Sequence, residues 1–143
     1  MILNWDNSLS VGNDNIDNQH KELFYRLNKL LEAMKEGKGK SEVINTLDFL
    51  EVYVIKHFNY EEEIQKKNKY PKFNVQHKQH EEFKNELKEL RRVFETTGIS
   101  SLFVINTQQK MVKWCKDHIM NSDMELGEYL TKNTKESILK SFL

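Results

Sequence analysis

Three features of the sequence predict an all-α fold, an antiparallel up-down-up-down four-helix bundle with a short N-terminal arm and a short C-terminal helical segment. Proline occurs once and glycine five times in 143 residues, so little interrupts helix formation. The breakers that do occur divide the chain into four long segments. Within those segments apolar side chains recur at the three- and four-residue spacing of a single helix face.

The first segment runs roughly from Ile16 to Met34 and carries Ile16, His20, Leu23, Leu27, Leu30 and Met34 on one face. Gly37 and Gly39 flank the first break, and Ser41 is the N-cap candidate for the second segment. That segment, roughly Ser41 to Gln65, carries Val43, Leu47, Leu50, Val54, His57 and Glu61. His57 and Glu61 therefore continue an apolar stripe and are expected in the core. Pro71, in Asn68-Lys69-Tyr70-Pro71, marks the second break. The third segment, roughly Lys72 to Thr96, carries Phe73, His80, Phe83, Leu87, Leu90 and Phe94. Gly98 marks the third break, with Ser100 or Ser101 as the next cap. The fourth segment begins near Ser101 and carries Val104, Met111, Cys115 and His118. Short connections make successive helices antiparallel neighbours, and residues 1–143 are expected to form one domain.

Composition narrows the function. Lysine plus arginine and aspartate plus glutamate both total 22, which gives no reason to expect nucleic acid or an anionic membrane as partner. Cys115 is the only cysteine, so no internal disulfide can form and a reducing compartment is expected. Met1 to Ser10 holds no basic residue and no apolar run approaches a membrane span, so a cytoplasmic protein is expected.

All five histidines, His20, His57, His77, His80 and His118, lie in the helical segments. Each alone reads as an ordinary hydrogen-bonded histidine. Together they place imidazole on every helix near one end of an antiparallel bundle, with Glu61 one turn after His57. A buried unpaired carboxylate costs several kcal/mol, and a metal ion removes that cost by taking carboxylate and neutral imidazole as ligands. One cysteine excludes the usual thiolate zinc frameworks, whereas nitrogen and oxygen donors suit iron, manganese or zinc. A ferritin-like di-iron site needs two Glu-x-x-His pairs. The sequence has none, Asp17-Asn18-Gln19-His20 being the nearest approach.

From Trp5 to about Tyr129 the chain resembles the hemerythrin family, in particular its bacterial single-domain members. The resemblance rests on four pieces in order: Trp5, Ser10-Val11-Gly12 and Ile16-Asp17-Asn18-Gln19-His20-Lys21 with Leu23-Phe24 and Asn28; His57-Phe58-Asn59-Tyr60-Glu61-Glu62; Tyr70-Pro71 with His80-Glu81-Glu82-Phe83; and Trp114-Cys115-Lys116-Asp117-His118-Ile119 with Asp123. It implies two non-haem irons joined by an oxo or hydroxo bridge. His20 and His57 would bind one iron. His80, His118 and one more third-helix histidine would bind the other, with Glu61 and Asp123 bridging. One coordination place then remains, on the iron held by His20 and His57, for dioxygen or a small anion such as azide. The implied pocket is lined by Trp114, Cys115 and Ile119. Asp123, five residues after His118, does not share a regular helix face with it, so the helix is expected to distort or end there.

Two departures stand out. The family spaces its third-helix histidines four apart, but four before His80 is Gln76, and the available histidine is His77. The apolar stripe favours position 76 facing inward, and the histidine count favours His77. We assign His77, with Gln76 as the alternative that would leave water or an amide oxygen on that iron. Cys115 stands where the family commonly has leucine. The function implied by the resemblance is reversible dioxygen binding for transport, storage, delivery or sensing. A di-iron oxidase, peroxidase or nitric-oxide-handling enzyme is the alternative, and a zinc or purely structural bundle is a third reading.

Overall fold

The computed structural model describes residues 2–98 and 100–143. Its helices are α1 (Asp14–Lys35), α2 (Lys40–Lys67), α3 (Phe73–Thr96), α4 (Ser101–Asp117) and α5 (Met124–Ser141), with a π-helical turn at His118–Asp123 between the last two. No strand occurs among the described residues. α1 packs against α2 and α4, and α2 against α3. Because the π-turn continues directly into α5, the fourth column of the bundle is α4, the turn and the start of α5 taken together.

The stripes read from the sequence face inward. Ile16, His20, Leu23, Leu27, Leu30 and Met34 are buried on α1, and Val43, Leu47, Leu50, Val54, His57 and Glu61 on α2. Burying each large aliphatic side chain contributes roughly 1.5–3 kcal/mol, so the leucine-rich half of the bundle supplies the apolar core. The opposite half gives its interior to polar groups. On α3, Phe73 and Phe94 at the ends of the stripe are only partly buried, while Gln76, His80, Phe83, Leu87 and Leu90 are buried.

The breaks have local causes. Gly37 adopts φ +67° and lets Lys38 N–H return to Ala33 O at 3.0 Å, closing α1. Ser41 is not the N-cap of α2. Gly39 holds that position without a side-chain hydrogen bond, and Ser41 lies inside the helix. Ser100 caps α4, its Oγ accepting from Phe103 N–H at 3.1 Å. At the α2–α3 break, Tyr70 N–H donates to Gln65 O at 2.8 Å, and Tyr129 Oη, reaching over from α5, donates to Asn68 O at 2.7 Å.

The N-terminal arm is tied to the bundle. Leu3 and Asn28 exchange two hydrogen bonds, 2.8 Å from Leu3 N–H to Oδ1 and 2.7 Å from Nδ2 to Leu3 O. Asp17 accepts from Ser10 Oγ at 2.5 Å and from Val11 N–H at 2.9 Å. Asp17, in the sequence's nearest approach to a Glu-x-x-His ligand pair, thus holds the arm. Gly127 on α5 is required by the same contact, since a Cβ there would stand 2.0 Å from Val11 O. No helix among the described residues is long and apolar enough to cross a membrane.

Candidate metal centre

Four helical columns each bring an imidazole to one level of the bundle. His20 comes from α1, His57 from α2, His80 from α3 and His118 from the start of the π-turn, all between 0% and 5% exposed. Glu61 and Asp123 lie among them, both fully buried. Glu61 sits one regular turn after His57. Asp123 reaches the cluster by another route. A regular helix has turned well past its own face after five residues, and the π-winding of His118–Asp123 brings the two side chains back together. The helix distorts, as the five-residue spacing requires, and does not end.

The carboxylates each face two ways. Glu61 Oε1 lies 3.3 Å from His20 Nε2 and 3.0 Å from His57 Nε2, while its Oε2 lies 3.2 Å from His80 Nε2. Asp123 Oδ2 lies 3.0 Å from His20 Nε2, while its Oδ1 lies 3.2 Å from His118 Nε2. Two donor groups result, His20-His57-Glu61-Asp123 and Glu61-His80-His118-Asp123, and they share both carboxylates.

The donors fit metal ions. Ligands set at right angles roughly 2.1 Å from one ion stand about 3 Å apart, close to the separations seen here. Several of these atoms have no aligned hydrogen bond although they are buried: His80 Nε2, His118 Nε2, Glu61 Oε2 and Asp123 Oδ2. Close approach without hydrogen-bond alignment is the geometry of donors converging on an ion. The electrostatics agree. Burial opposes a charge on His20, but hydrogen bonds and attraction to Asp123 and Glu61 outweigh it and raise its pKa to about 10. Burial likewise opposes the charge on Glu61, and the imidazoles of His57, His20 and His80 hold it well below the usual carboxylate range. A cation bound here would displace the imidazole protons.

A second layer orients the rings. His57 Nδ1 pairs with Gln19 Oε1 at 2.8 Å, and His118 Nδ1 with Gln79 Oε1 at 2.8 Å. Ser122 Oγ donates to the same Gln79 oxygen at 2.7 Å. His80 Nδ1 pairs with Glu62 Oε2 at 2.9 Å. Aromatic rings complete the support. Phe58 stacks on His80 at 4.0 Å between centroids, and Trp114 stacks on His118 at 4.5 Å. Cys115 and Ile119 are buried beside Trp114 and His118 in sequence, and burial pushes the Cys115 thiol up to about 12.

The assignment of His77 is corrected. Its side chain is half exposed, and its Nδ1 pairs with Glu62 Oε1 at 2.6 Å, outside the cluster. Gln76 is 1% exposed and its Nε2 donates to Asp123 Oδ1 at 3.0 Å. The physical reason is the unbroken α3. Position 76 falls on the stripe with His80, and position 77 lies about 100° around the helix. Sequence reasoning quoted Gln19, Phe58 and Glu62 only as parts of motifs, without a supporting role, and did not name Gln79. A signal existed for two of them, since Gln-His occurs at 19–20 and at 79–80, as it also does at 76–77.

Comparison with known proteins identifies the family. Residues 11–130 match the family described as Hemerythrin HHE cation binding domain. The chain is 31% identical over 129 residues to a bacteriohemerythrin of Stenotrophomonas maltophilia, covering 89% of this chain and 80% of the relative. It is 27% identical over 122 residues to a hemerythrin-like protein of Naegleria gruberi, covering 85% and 88%. A wild-type hemerythrin crystal structure superposes with a TM-score of 0.79 at 26% identity, covering 91% of this chain and 98% of that one. The chain belongs to the hemerythrin family.

Proposed function

We propose that this chain binds dioxygen reversibly at a non-haem di-iron site, as a carrier, store or sensor and not as an enzyme. The observation that carries the proposal is the two-way facing of Glu61 and Asp123, each with one oxygen toward His20 and the other toward His80 or His118. His20 and His57 would hold one iron and His80 and His118 the other, with both carboxylates bridging. The iron pair supplies the electrons by which dioxygen is held. The chain's own side chains do the rest. Gln19, Gln79 and Glu62 fix the imidazole tautomers, and Phe58 and Trp114 limit the room for water around His80 and His118. Trp114, Cys115 and Ile119 wall the small-ligand pocket, which would also take anions such as azide. The lone thiol suits a cytoplasmic protein.

One observation favours a second reading, a di-iron oxidase, peroxidase or nitric-oxide-handling enzyme: Gln76 stands where the family resemblance expects a histidine ligand. Absorption spectroscopy separates the two. The reduced iron-loaded protein should be nearly colourless, gain a charge-transfer spectrum in air and lose it under vacuum over repeated cycles. Irreversible bleaching on first exposure, with continuing consumption of oxygen, would overturn the carrier reading.

A further inference from the structure

The two halves of the site offer matching donor sets, two imidazoles and the two shared carboxylates, which gives four protein donors to each metal position. Four residues before His20 on α1 stands Ile16, fully buried and unable to ligate. The equivalent position four before His80 on α3 is Gln76. Its amide is already engaged, with Nε2 donating to Asp123 Oδ1 at 3.0 Å, while Oε1 is buried with no partner. His77 cannot substitute for it. The Glu62 carboxylate holds His77 Nδ1 at 2.6 Å with one oxygen and His80 Nδ1 at 2.9 Å with the other, which keeps the His77 ring on the outer side of α3. One turn after Glu61, Gln65 is 0% exposed and neither of its amide atoms has a partner. Buried amides are otherwise nearly always satisfied, by protein or by ordered water. Three such atoms, Gln76 Oε1 and both of Gln65, belong to the two helices that supply Glu61 and His80.

We infer that Gln76 is not a metal donor and that it leaves the metal held by His80 and His118 with a coordination place for an exchangeable small ligand. The inference rests on the di-iron reading above. An octahedral ion with four protein donors and one shared oxygen bridge has one place left, and this count holds for both metals. Gln76 positions Asp123 through its N–H and offers Oε1 as a hydrogen-bond acceptor beside the second place. That favours ligands carrying a proton, such as water, hydroxide or a protonated oxygen species. The site would therefore take small ligands on both metals.

Nitric oxide, which binds ferrous iron one molecule per open place, provides the test. The iron content of the purified reduced protein is measured first. Fewer than two irons per chain overturns the di-iron reading and this inference with it. With two irons present, the protein is mixed anaerobically with excess nitric oxide, frozen at once and examined by Mössbauer spectroscopy. The inference expects all of the iron to convert to the nitrosyl spectrum in the wild-type chain. In Gln76→His, where an imidazole fills the place, half should convert. Conversion of only half the iron in the wild-type chain, at two irons per chain, overturns the inference and leaves the di-iron reading standing. A crystal structure of the iron-loaded protein with Gln76 Oε1 or a His77 nitrogen bonded to the metal would do the same.

Discussion

The α1–α2 half of the site and the α3–α4 half hold similar side chains by different means. Each half has a Gln-His pair on its first helix, Gln19-His20 and Gln79-His80, and a histidine followed by an acid on its second. In each half the glutamine reaches the histidine of the neighbouring helix at 2.8 Å. The acids differ. Glu61 follows His57 by four residues on a regular helix, and Asp123 follows His118 by five on a π-turn. The shorter acid is matched to the wider winding, so the backbone supplies reach that the side chain lacks. The supporting layer differs too. His80 Nδ1 is held by Glu62, whereas His20 Nδ1 is buried without a partner. Glu61 thus follows from regular helix spacing, whereas Asp123 depends on a helix distortion and the His80 ring on a carboxylate clamp.

The largest effects should come from breaking both halves at once. Glu61→Ala or Asp123→Ala removes a side chain that faces both donor groups, and each should reduce metal content below one ion per chain by elemental analysis. His57→Ala should be milder, because it belongs to one group only. If the two carboxylate variants retain one metal each, the carboxylates do not bridge.

Exchanging the acids probes the difference in winding. Glu61→Asp shortens the side chain without changing the winding of α2, so its oxygens should fail to span the four imidazoles and at least one metal should be lost. Asp123→Glu adds a methylene to a fully buried position and should cost about 1–3 kcal/mol in thermal or denaturant unfolding while retaining more metal than Glu61→Asp. The reverse order would mean that the π-turn does not set the reach of Asp123.

The glutamines should rank next. Loss of an outer partner to a ligating histidine typically weakens metal binding 10–100-fold. Gln79→Ala frees both His118 Nδ1 and Ser122 Oγ, whereas Gln19→Ala frees only His57 Nδ1. Chelator competition should therefore show the larger loss for Gln79→Ala, and equal losses would assign Ser122 no part in holding the ring.

Much of this was legible before the structure. The apolar stripes placed His20, His57, Glu61, His80 and His118 inside because each continued a run of buried apolar side chains at helical spacing, for His118 the run Val104, Met111 and Cys115. Asp123 was legible only through the family resemblance, since its spacing contradicts a regular helix. The choice of His77 failed because residue type was weighed above helix phase. The stripe already pointed to Gln76, and α3 keeps that phase from Phe73 to Thr96. The role of Glu62 was missed for a related reason. It lies one residue off the stripe, and only the packing of α3 against α2 turns a helix-edge carboxylate into a clamp on two histidines.

The smallest effect concerns Cys115. It is buried, its thiol is pushed up to about 12 by burial and by Asp123, and it should resist thiol reagents at pH 8 until the protein unfolds. Cys115→Leu should slow autoxidation of the oxygenated protein by closing the pocket with a bulkier side chain, and Cys115→Ser should match or exceed the wild-type rate. Equal rates in wild type and Cys115→Leu at unchanged metal content would make Cys115 an inert core residue.

Whether four imidazoles and two shared carboxylates hold a pair of irons is decided by elemental analysis combined with Mössbauer spectroscopy of the air-oxidised protein. Two ferric ions per chain, magnetically coupled through a shared bridge, are expected. A single metal per chain, a zinc ion, or two uncoupled irons would refute the paired-iron site.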